Sequence, residues 1–251
     1  MTTTTTIKPA RLLSLDVLRG FTIAGMILVN NPGSWQYVYA PLRHAQWHGL
    51  TPTDLVFPFF MFIMGVSMYL SYRKFDFKLS KQTFWKFTRR SVLLFLIGLM
   101  LGWFGLFCRE LNQLNGVNMP LGEKILQAAT QFENIRILGV LQRLALVSFF
   151  GTLIILLVRQ KHIPWLIGFI LLFYWILLGC THSYEASVDN IIAVVDRAIL
   201  GASHMYKETL ADGSVIAFDP EGILSTLPCI AHVLLGVWAG KLITETTNHE
   251  E

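Results

Sequence analysis

The sequence predicts an all-α fold: a polytopic membrane bundle of about six transmembrane helices. Hydrophobic residues make up 53% of the 251 positions and charged residues only 14%, whereas about 25% is usual in soluble domains. Long apolar stretches recur along the chain, and basic residues gather between particular pairs of them. This composition excludes an ordinary soluble enzyme and a disordered or fibrous chain, because too little polar surface is available to face water.

Six stretches are candidate spans, since a spanning helix needs roughly 17–25 mostly apolar residues. Four are strong, at residues 55–70, 91–107, 144–158 and 163–180. Two are weaker. Residues 21–29 are short but extend to 16–31 with polar ends, and residues 223–243 carry Pro228, His232 and Lys241 within an apolar run.

The apolar part carries no repeat and no linker, so the sequence predicts one membrane domain over residues 11–243. A disordered cytoplasmic tail is expected over residues 1–10, where a threonine tract begins the chain, and a second tail over 244–251. Three cysteines at unrelated spacings form neither a disulfide framework nor a zinc site. We expect no metal.

The distribution of basic residues orients the spans, because Lys and Arg accumulate on cytoplasmic loops. The segment 73–90 has seven basic residues against one acid, so it is expected inside, together with the N-terminus, the 159–161 link and the C-terminus. Connections 32–53, 108–136 and 181–221 then lie outside. This assignment places 13 basic residues inside and six outside. The sequence therefore predicts an integral membrane protein with a cytoplasmic N-terminus.

The basic segment 73–90 has two interpretations. Cations that flank two spans usually give the topology signal and contact anionic lipid headgroups. They could also receive the phosphates of a cytosolic cofactor. The sequence alone favours the first interpretation, and membrane lipid is the partner it indicates.

The first outer connection contains the strongest candidate site. Thr51, Pro52 and Asp54 are typical of a capped helix start, with Pro at the first helical position. The partly positive helix N-terminus then lies near His44, Trp47 and His48. These side chains could line a small-molecule pocket. The alternative is an interfacial aromatic belt with a hydrogen-bonded loop histidine.

His44 and His48 are chemically equivalent candidates for catalysis. An imidazole can accept a proton near neutral pH or act as a nucleophile. Spacing alone does not choose between them, and their spacing, without nearby acids, does not indicate zinc.

Arg143 and Pro58 are unusual residues for apolar spans. A buried Arg costs about 2.5–3.5 kcal/mol on insertion scales, so it normally faces a cavity or a partner. Arg143 could bind an anionic group, or it could pair with Asp54 or Glu133. Pro58 interrupts the hydrogen-bond ladder of its helix. These two features motivate an alternative function, a transporter of a small sugar or anion.

Five ordered blocks make the chain resemble the heparan-α-glucosaminide N-acetyltransferase family. They are SLDVLRGF at 14–21, MILVN at 26–30, HAQWHGLTPTDLVFPFF at 44–60, IRILGVLQRLA at 135–145 and FDPEGILSTLP at 218–228. Bacterial members resemble inner-membrane amino-sugar acetyltransferases, so the resemblance implies a bacterial inner membrane. It also implies acetyl transfer from cytosolic acetyl-CoA to the amine of glucosamine or a related envelope amino sugar at the opposite face.

The resemblance also implies roles for individual residues. The active-site histidine of the family falls on His44 and its assisting asparagine on Asn30, which selects His44 over His48. The amino sugar is then expected at Trp47, His48 and Asp54. The groups expected to hold acetyl-CoA are Arg143, Arg89, Arg90, Arg73 and Lys74. No nucleic-acid partner is expected, and both a direct transfer and a two-step transfer through acetyl-imidazole remain open.

The sequence departs from the family in its number of spans. Members generally have ten or eleven, whereas this sequence predicts six, so the chain corresponds to the N-terminal part of a larger family domain. The expected explanations are a truncated gene product, a shorter relative, or an oligomer such as a homodimer. An inactive subunit is therefore a further alternative to an enzyme.

Overall fold

The computed structural model describes residues 13–210 and 213–247, and these residues form a helical bundle with one small hairpin. The helices are α1 Leu13–Asn30, α2 Pro52–Arg73, α3 Lys81–Gln113, α4 Leu121–Ala129, α5 Val140–Leu157, α6 Ile163–Cys180, α7 Ile191–Leu200 and α8 Thr226–Thr247. Strands β1 Lys207–Thr209 and β2 Val215–Ala217 pair antiparallel. Within the described residues, six helices are long and apolar enough to cross a membrane, which confirms the predicted number.

The tails predicted at the two ends of the chain lie wholly or partly outside the described residues. The tail predicted over residues 1–10 lies outside the described residues. The tail predicted from 244 begins in helix, because α8 continues to Thr247. α2 runs through Pro58 without ending, although a proline at this interior position cannot donate a backbone hydrogen bond to the Asp54 carbonyl.

Three helices form the centre of the bundle. α2, α5 and α8 pack against one another, whereas α1 packs on α2, α3 on α5 and α6 on α8. The outer helices leave most of their apolar side chains exposed, as expected for surfaces that face lipid. The central core is formed by Met61, Met68, Tyr69, Val147, Ile155, Ile230, Val233, Leu234 and Val237, with Ile163 and Ile167 from α6.

α2 and α8 approach through glycines. A Cβ atom added at Gly65 would lie 2.9 Å from the Cα of Gly236, and one added at Gly240 would lie 3.1 Å from the Cβ of Tyr69. Small residues allow two membrane helices to bring their backbones together. The glycines therefore set the distance between these central helices.

Much of the basic segment 73–90 is helical, whereas the sequence predicts a connection between spans over its whole length. Ser80 caps α3 by accepting a hydrogen bond from the Thr83 N–H at 3.1 Å, and the helix begins at Lys81. Lys and Arg are good helix formers, so the helix extends beyond its apolar part. We call the end of the bundle that carries this segment the basic end.

The opposite end, which we call the loop end, carries the three long connections 31–51, 114–139 and 181–225. They contain α4, α7 and the hairpin, none of which was predicted. The third connection contacts the second through the Ile137 N–H, which donates to the His204 carbonyl at 3.1 Å. The loop end is therefore a packed layer above the bundle.

Candidate active site at the loop end

Backbone carbonyls fix the first connection before it reaches the candidate histidines. Arg43 Nε donates to the Val38 carbonyl at 2.8 Å, and the Thr51 hydroxyl donates to the Arg43 carbonyl at 2.7 Å. The capping box predicted from Thr51 and Asp54 is present at the start of α2. These contacts hold residues 43–51 as a loop closed at its base.

His44 Nδ1 lies 2.6 Å from Asp54 Oδ1. The other carboxylate oxygen, Oδ2, accepts the N–H groups of Thr51 at 2.8 Å and Ala45 at 3.2 Å, and the Thr51 hydroxyl oxygen lies 2.9 Å from it. A carboxylate surrounded by donors acts only as an acceptor, so the proton between His44 and Asp54 belongs on Nδ1. Nε2 of His44 then presents its lone pair outward, and the imidazole is 70% exposed.

Trp47 and His48 connect the first connection to the third. Trp47 Nε1 donates to the Tyr184 carbonyl at 2.7 Å, and its ring meets the edge of Phe218 with centroids 5.1 Å apart. His48 Nε2 lies 3.0 Å from Glu185 Oε1. The contacts of Trp47 anchor the tip of the loop that carries both histidines.

Asn30 is the last residue of α1 and lies at the loop end, as expected. Its side-chain amide donates to the Met26 carbonyl at 2.9 Å. Among the described residues no hydrogen bond joins Asn30 to His44. Asp54, which was expected to contact the sugar, is the residue that orients the imidazole.

A buried ion-pair cluster joins the second and third connections. Arg136 donates to both oxygens of Asp219, at 2.5 and 3.0 Å, and also pairs with Glu221. Burial alone would lower the pKa of Arg136, but the adjacent carboxylates Asp219 and Glu221 raise it overall. Asp219 is fully buried and also accepts the Tyr206 N–H at 3.0 Å. The cluster therefore fixes the segment before α8.

Asp196 of α7 is fully buried beneath this segment. Its Oδ1 atom accepts the Ile223 N–H at 2.8 Å, whereas Oδ2 has no hydrogen-bond partner among the described residues. Burial raises the pKa of Asp196 above its ordinary value. Protonation of Asp196 would remove the free-energy cost of a buried charge, and its Oδ1 atom would still accept the hydrogen bond from the Ile223 N–H.

Arg143 is buried near the loop end of α5, and neither expected ion pair is present, so that alternative was wrong. Its guanidinium donates to the Gly222 carbonyl at 3.2 Å and to the Ser225 hydroxyl. The oxygens of Asp54 are occupied at the start of α2, and Glu133 is exposed. Nε of Arg143 has no partner among the described residues, so its N–H group remains for another acceptor.

A cavity of about 360 Å³ lies towards the basic end, between α1, α2, α3 and α5. Arg90 lines it together with Arg19, whose Nη2 atom donates to the Ser67 hydroxyl at 2.9 Å. Ser71, Ser91, Ser148 and Thr152 add further hydroxyls to the wall. Two guanidinium groups and several hydroxyls form a lining suited to an anion.

The other residues expected to hold acetyl-CoA do not line this cavity. Arg89, Arg73 and Lys74 are exposed at the basic end. Gly98 of α3 lies against Gln142 of α5. The helical rise from this contact to each arginine places Arg143 about 10 Å from Arg90 along the bundle axis. The structure thus gathers His44, Trp47, His48 and Asp54 in one place but separates Arg143 from the basic end.

Several residues of these sites were not predicted. Glu185 is 137 positions from its partner His48, and no local pattern marks it. Arg19 and Asp219 lie within the blocks that carry the family resemblance, and this position could have marked them as candidate site residues. Among the described residues no cluster of three or more His, Cys, Asp or Glu side chains could hold a metal ion.

Comparison with known proteins gives a consistent result. The family described as heparan-alpha-glucosaminide N-acetyltransferase, catalytic, matches residues 11–251. The human protein named heparan-alpha-glucosaminide N-acetyltransferase is 31% identical, over 94% of this chain and 39% of its own length. The mouse protein of that name is 29% identical, over 93% and 39%. The chain thus spans about 39% of the length of these relatives.

Proposed function

Because this chain belongs to the heparan-α-glucosaminide N-acetyltransferase family, we propose that it is an acetyl-CoA-dependent transmembrane N-acetyltransferase. The acetyl group passes from acetyl-CoA, supplied at the basic end, to the amine of glucosamine or a related envelope amino sugar at the loop end. The basic end faces the cytosol in this proposal, in agreement with the charge distribution. The observation that carries the proposal is the exposed imidazole of His44, held by Asp54 at the end opposite the cations.

The proposed chemistry uses the free Nε2 atom of His44. In a direct transfer, His44 removes a proton from the amine, which attacks the thioester carbonyl. The carbon–sulfur bond breaks, an amide bond forms, and the CoA thiolate takes up a proton. In a two-step transfer, Nε2 first attacks the thioester carbonyl, and the carbon–sulfur bond breaks to release the CoA thiolate, which takes up a proton. The amine then attacks acetyl-imidazole and loses a proton, the amide bond forms, and the imidazole of His44 is released.

Asn30, Trp47, His48 and Asp54 complete the proposed loop-end site. Asn30 uses one N–H group for the Met26 carbonyl, and its amide has a second that could stabilise the developing oxyanion. Trp47 and His48 contact the acceptor sugar. Asp54 accepts a hydrogen bond from Nδ1 of His44 and so fixes the tautomer of the imidazole. This role takes the place of part of the sugar contact that was expected of Asp54.

The cavity at the basic end supports a place for the donor. The guanidinium groups of Arg19 and Arg90 fit the phosphates of CoA, and Arg89, Arg73 and Lys74 surround the approach as further cations. Ser67 of the cavity is about 20 Å along α2 from Asp54, by the helical rise. A thin pantetheine arm must bridge that distance, and we propose that Arg143 contacts the donor near its acetyl end.

The first test is acetyl transfer by the purified protein in lipid vesicles. Acetyl-CoA labelled in the acetyl group is added on the side that the basic end faces, and glucosamine on the other side. We expect label on glucosamine, and label on the protein when glucosamine is omitted if the two-step route operates. Saturable glucosamine uptake without acetyl-CoA would instead favour a transporter, and label on neither molecule would favour an inactive subunit.

A second prediction concerns Arg90. Arg90→Gln removes one of the two guanidinium groups from the cavity, so the KM for acetyl-CoA should rise about tenfold or more, with little change in the KM for glucosamine. Arg159→Gln is the matched control, because Arg159 is exposed at the same end but lies outside the cavity. An equal rise in both variants would mean that only the general positive charge of this end attracts acetyl-CoA.

A further inference from the structure

A second imidazole–carboxylate pair joins the loop that carries His44 to the third connection. His48 and Glu185 lie 3.0 Å apart, with side chains that are 67% and 75% exposed. An exposed imidazole–carboxylate contact of this kind contributes little to stability. The pair therefore contributes little to holding the two connections together, and its exposed position allows contact with a ligand.

The backbone around Glu185 is fixed by other contacts. Asn190 is buried, and its amide donates to the carbonyls of Ser183 at 3.0 Å and Glu185 at 2.9 Å. Trp47 binds the intervening Tyr184 carbonyl at 2.7 Å. The backbone of this loop is therefore anchored without the Glu185 carboxylate. The Oε2 atom of that carboxylate has no hydrogen bond in the described part of the chain.

The two imidazoles belong to one short loop. Four residue steps separate His44 from His48, which limits their Cα atoms to about 14 Å even in an extended chain. The loop also turns back, because a Cβ added at Gly49 would lie 3.8 Å from the Cβ of Ala45. His44 and the histidine that pairs with Glu185 therefore belong to one turned-back loop at the loop end.

The charge of the Glu185 carboxylate indicates which kind of ligand this site would bind. An amino sugar arrives at neutral pH largely as an ammonium ion, and a carboxylate binds ammonium through charge-assisted hydrogen bonds. Asp54 is not free for this task, since its oxygens already accept from His44, Ala45 and Thr51. Glu185 keeps an unoccupied carboxylate oxygen on the exposed side.

We propose that Glu185, supported by His48, binds the ammonium group of the acceptor and so selects amino sugars over neutral sugars. The inference rests on the proposed function and adds a specificity-determining residue to it. Glu185 fixes the amine beside His44, and His44 remains the group that acts on it. The ligand class is a cationic hexosamine or a glycan that ends in one.

Glu185→Gln tests the charge separately from the loop contact. Glutamine can still accept a hydrogen bond from His48, so a merely structural role would be retained. We expect the Kd for glucosamine, measured by calorimetry on the full chain in detergent without acetyl-CoA, to rise about tenfold or more. The Kd for glucose should not change. In the transfer assay the KM for glucosamine should rise in parallel, with kcat nearly preserved.

Asp189→Asn is the matched control, because Asp189 is an exposed acid on the same connection. It should leave the Kd for glucosamine unchanged. The inference is overturned if Glu185→Gln binds glucosamine as tightly as the unsubstituted protein, if it weakens glucose binding equally, or if the unsubstituted protein does not prefer glucosamine to glucose. Preferential glucosamine binding without acetyl transfer would support this site while contradicting the proposed enzyme.

Discussion

Replacing His44 with alanine should lower acetyl transfer by at least about 100-fold, the usual contribution of a positioned acid–base group. No other imidazole in the described part of the chain combines an oriented Nδ1–H group with an exposed Nε2 atom at the start of α2. The loss should appear in kcat, since alanine removes the group that acts on the amine or the thioester. Transfer from labelled acetyl-CoA to glucosamine measures it.

Asp54→Asn should lower acetyl transfer by a similar factor, because the substitution would change the tautomer of His44. The donors Thr51 and Ala45 surround one carboxylate oxygen and will hold the carbonyl oxygen of the asparagine. Its NH2 group then faces His44 Nδ1 and donates to it. This reverses the tautomer, places the proton on Nε2, and removes the lone pair that the reaction needs.

His182→Asn is the control for both substitutions. His182 is also exposed at the loop end, and asparagine tolerates its positive φ of 50°. Transfer should continue at the unsubstituted rate, and the thermal unfolding of all three variants in detergent should be similar. Robust turnover by His44→Ala would contradict the assignment of His44, and full activity of Asp54→Asn would contradict the tautomer argument.

Gly65→Ala should strongly destabilise the bundle. The new methyl group would lie 2.9 Å from both the Cα of Gly236 and the backbone nitrogen of Val237, so α2 and α8 must separate. Overpacking of this kind costs about 1–3 kcal/mol, and contact with backbone rather than a movable side chain places the cost at the upper end. The unfolding midpoint in detergent and the fraction of monodisperse protein should both fall.

Gly168→Ala is the matched control on α6. A Cβ at Gly168 meets nothing within 4 Å, and alanine favours helix more than glycine does. The control should therefore unfold at the same temperature as the unsubstituted protein, or at a slightly higher one. Equal midpoints for the two variants would show that α2 and α8 can move apart at little cost.

The spans and the capped start of α2 were predictable because their causes are local. Apolar length predicts a membrane helix, and Thr51, Pro52 and Asp54 lie within four positions of one another. The same local pattern placed His44 beside a helix N-terminus. The choice of His44 over His48 came from the family resemblance, and it stays a prediction, because the structure pairs each of the two imidazoles with a carboxylate.

The remaining contacts were not predictable because they join distant segments. His48 and Glu185, Trp47 and Tyr184, and Arg143 and Ser225 are each separated by more than 80 positions. The short helices α4 and α7 have too few residues to give the signal of a span. Arg143 was expected either to bind an anionic group or to pair with Asp54 or Glu133, whereas packing of α5 beside the start of α8 places a carbonyl and a hydroxyl against it.

The glycine contact of α2 with α8 also has a consequence for biosynthesis. Gly65 and Gly236 are about 170 positions apart, so α2 leaves the ribosome long before its main partner exists. Until then the backbone surface around Gly65 must be occupied by lipid or by the insertion machinery, and the helices inserted in between must leave that surface open. The central bundle is therefore completed late, when α8 displaces whatever has protected α2.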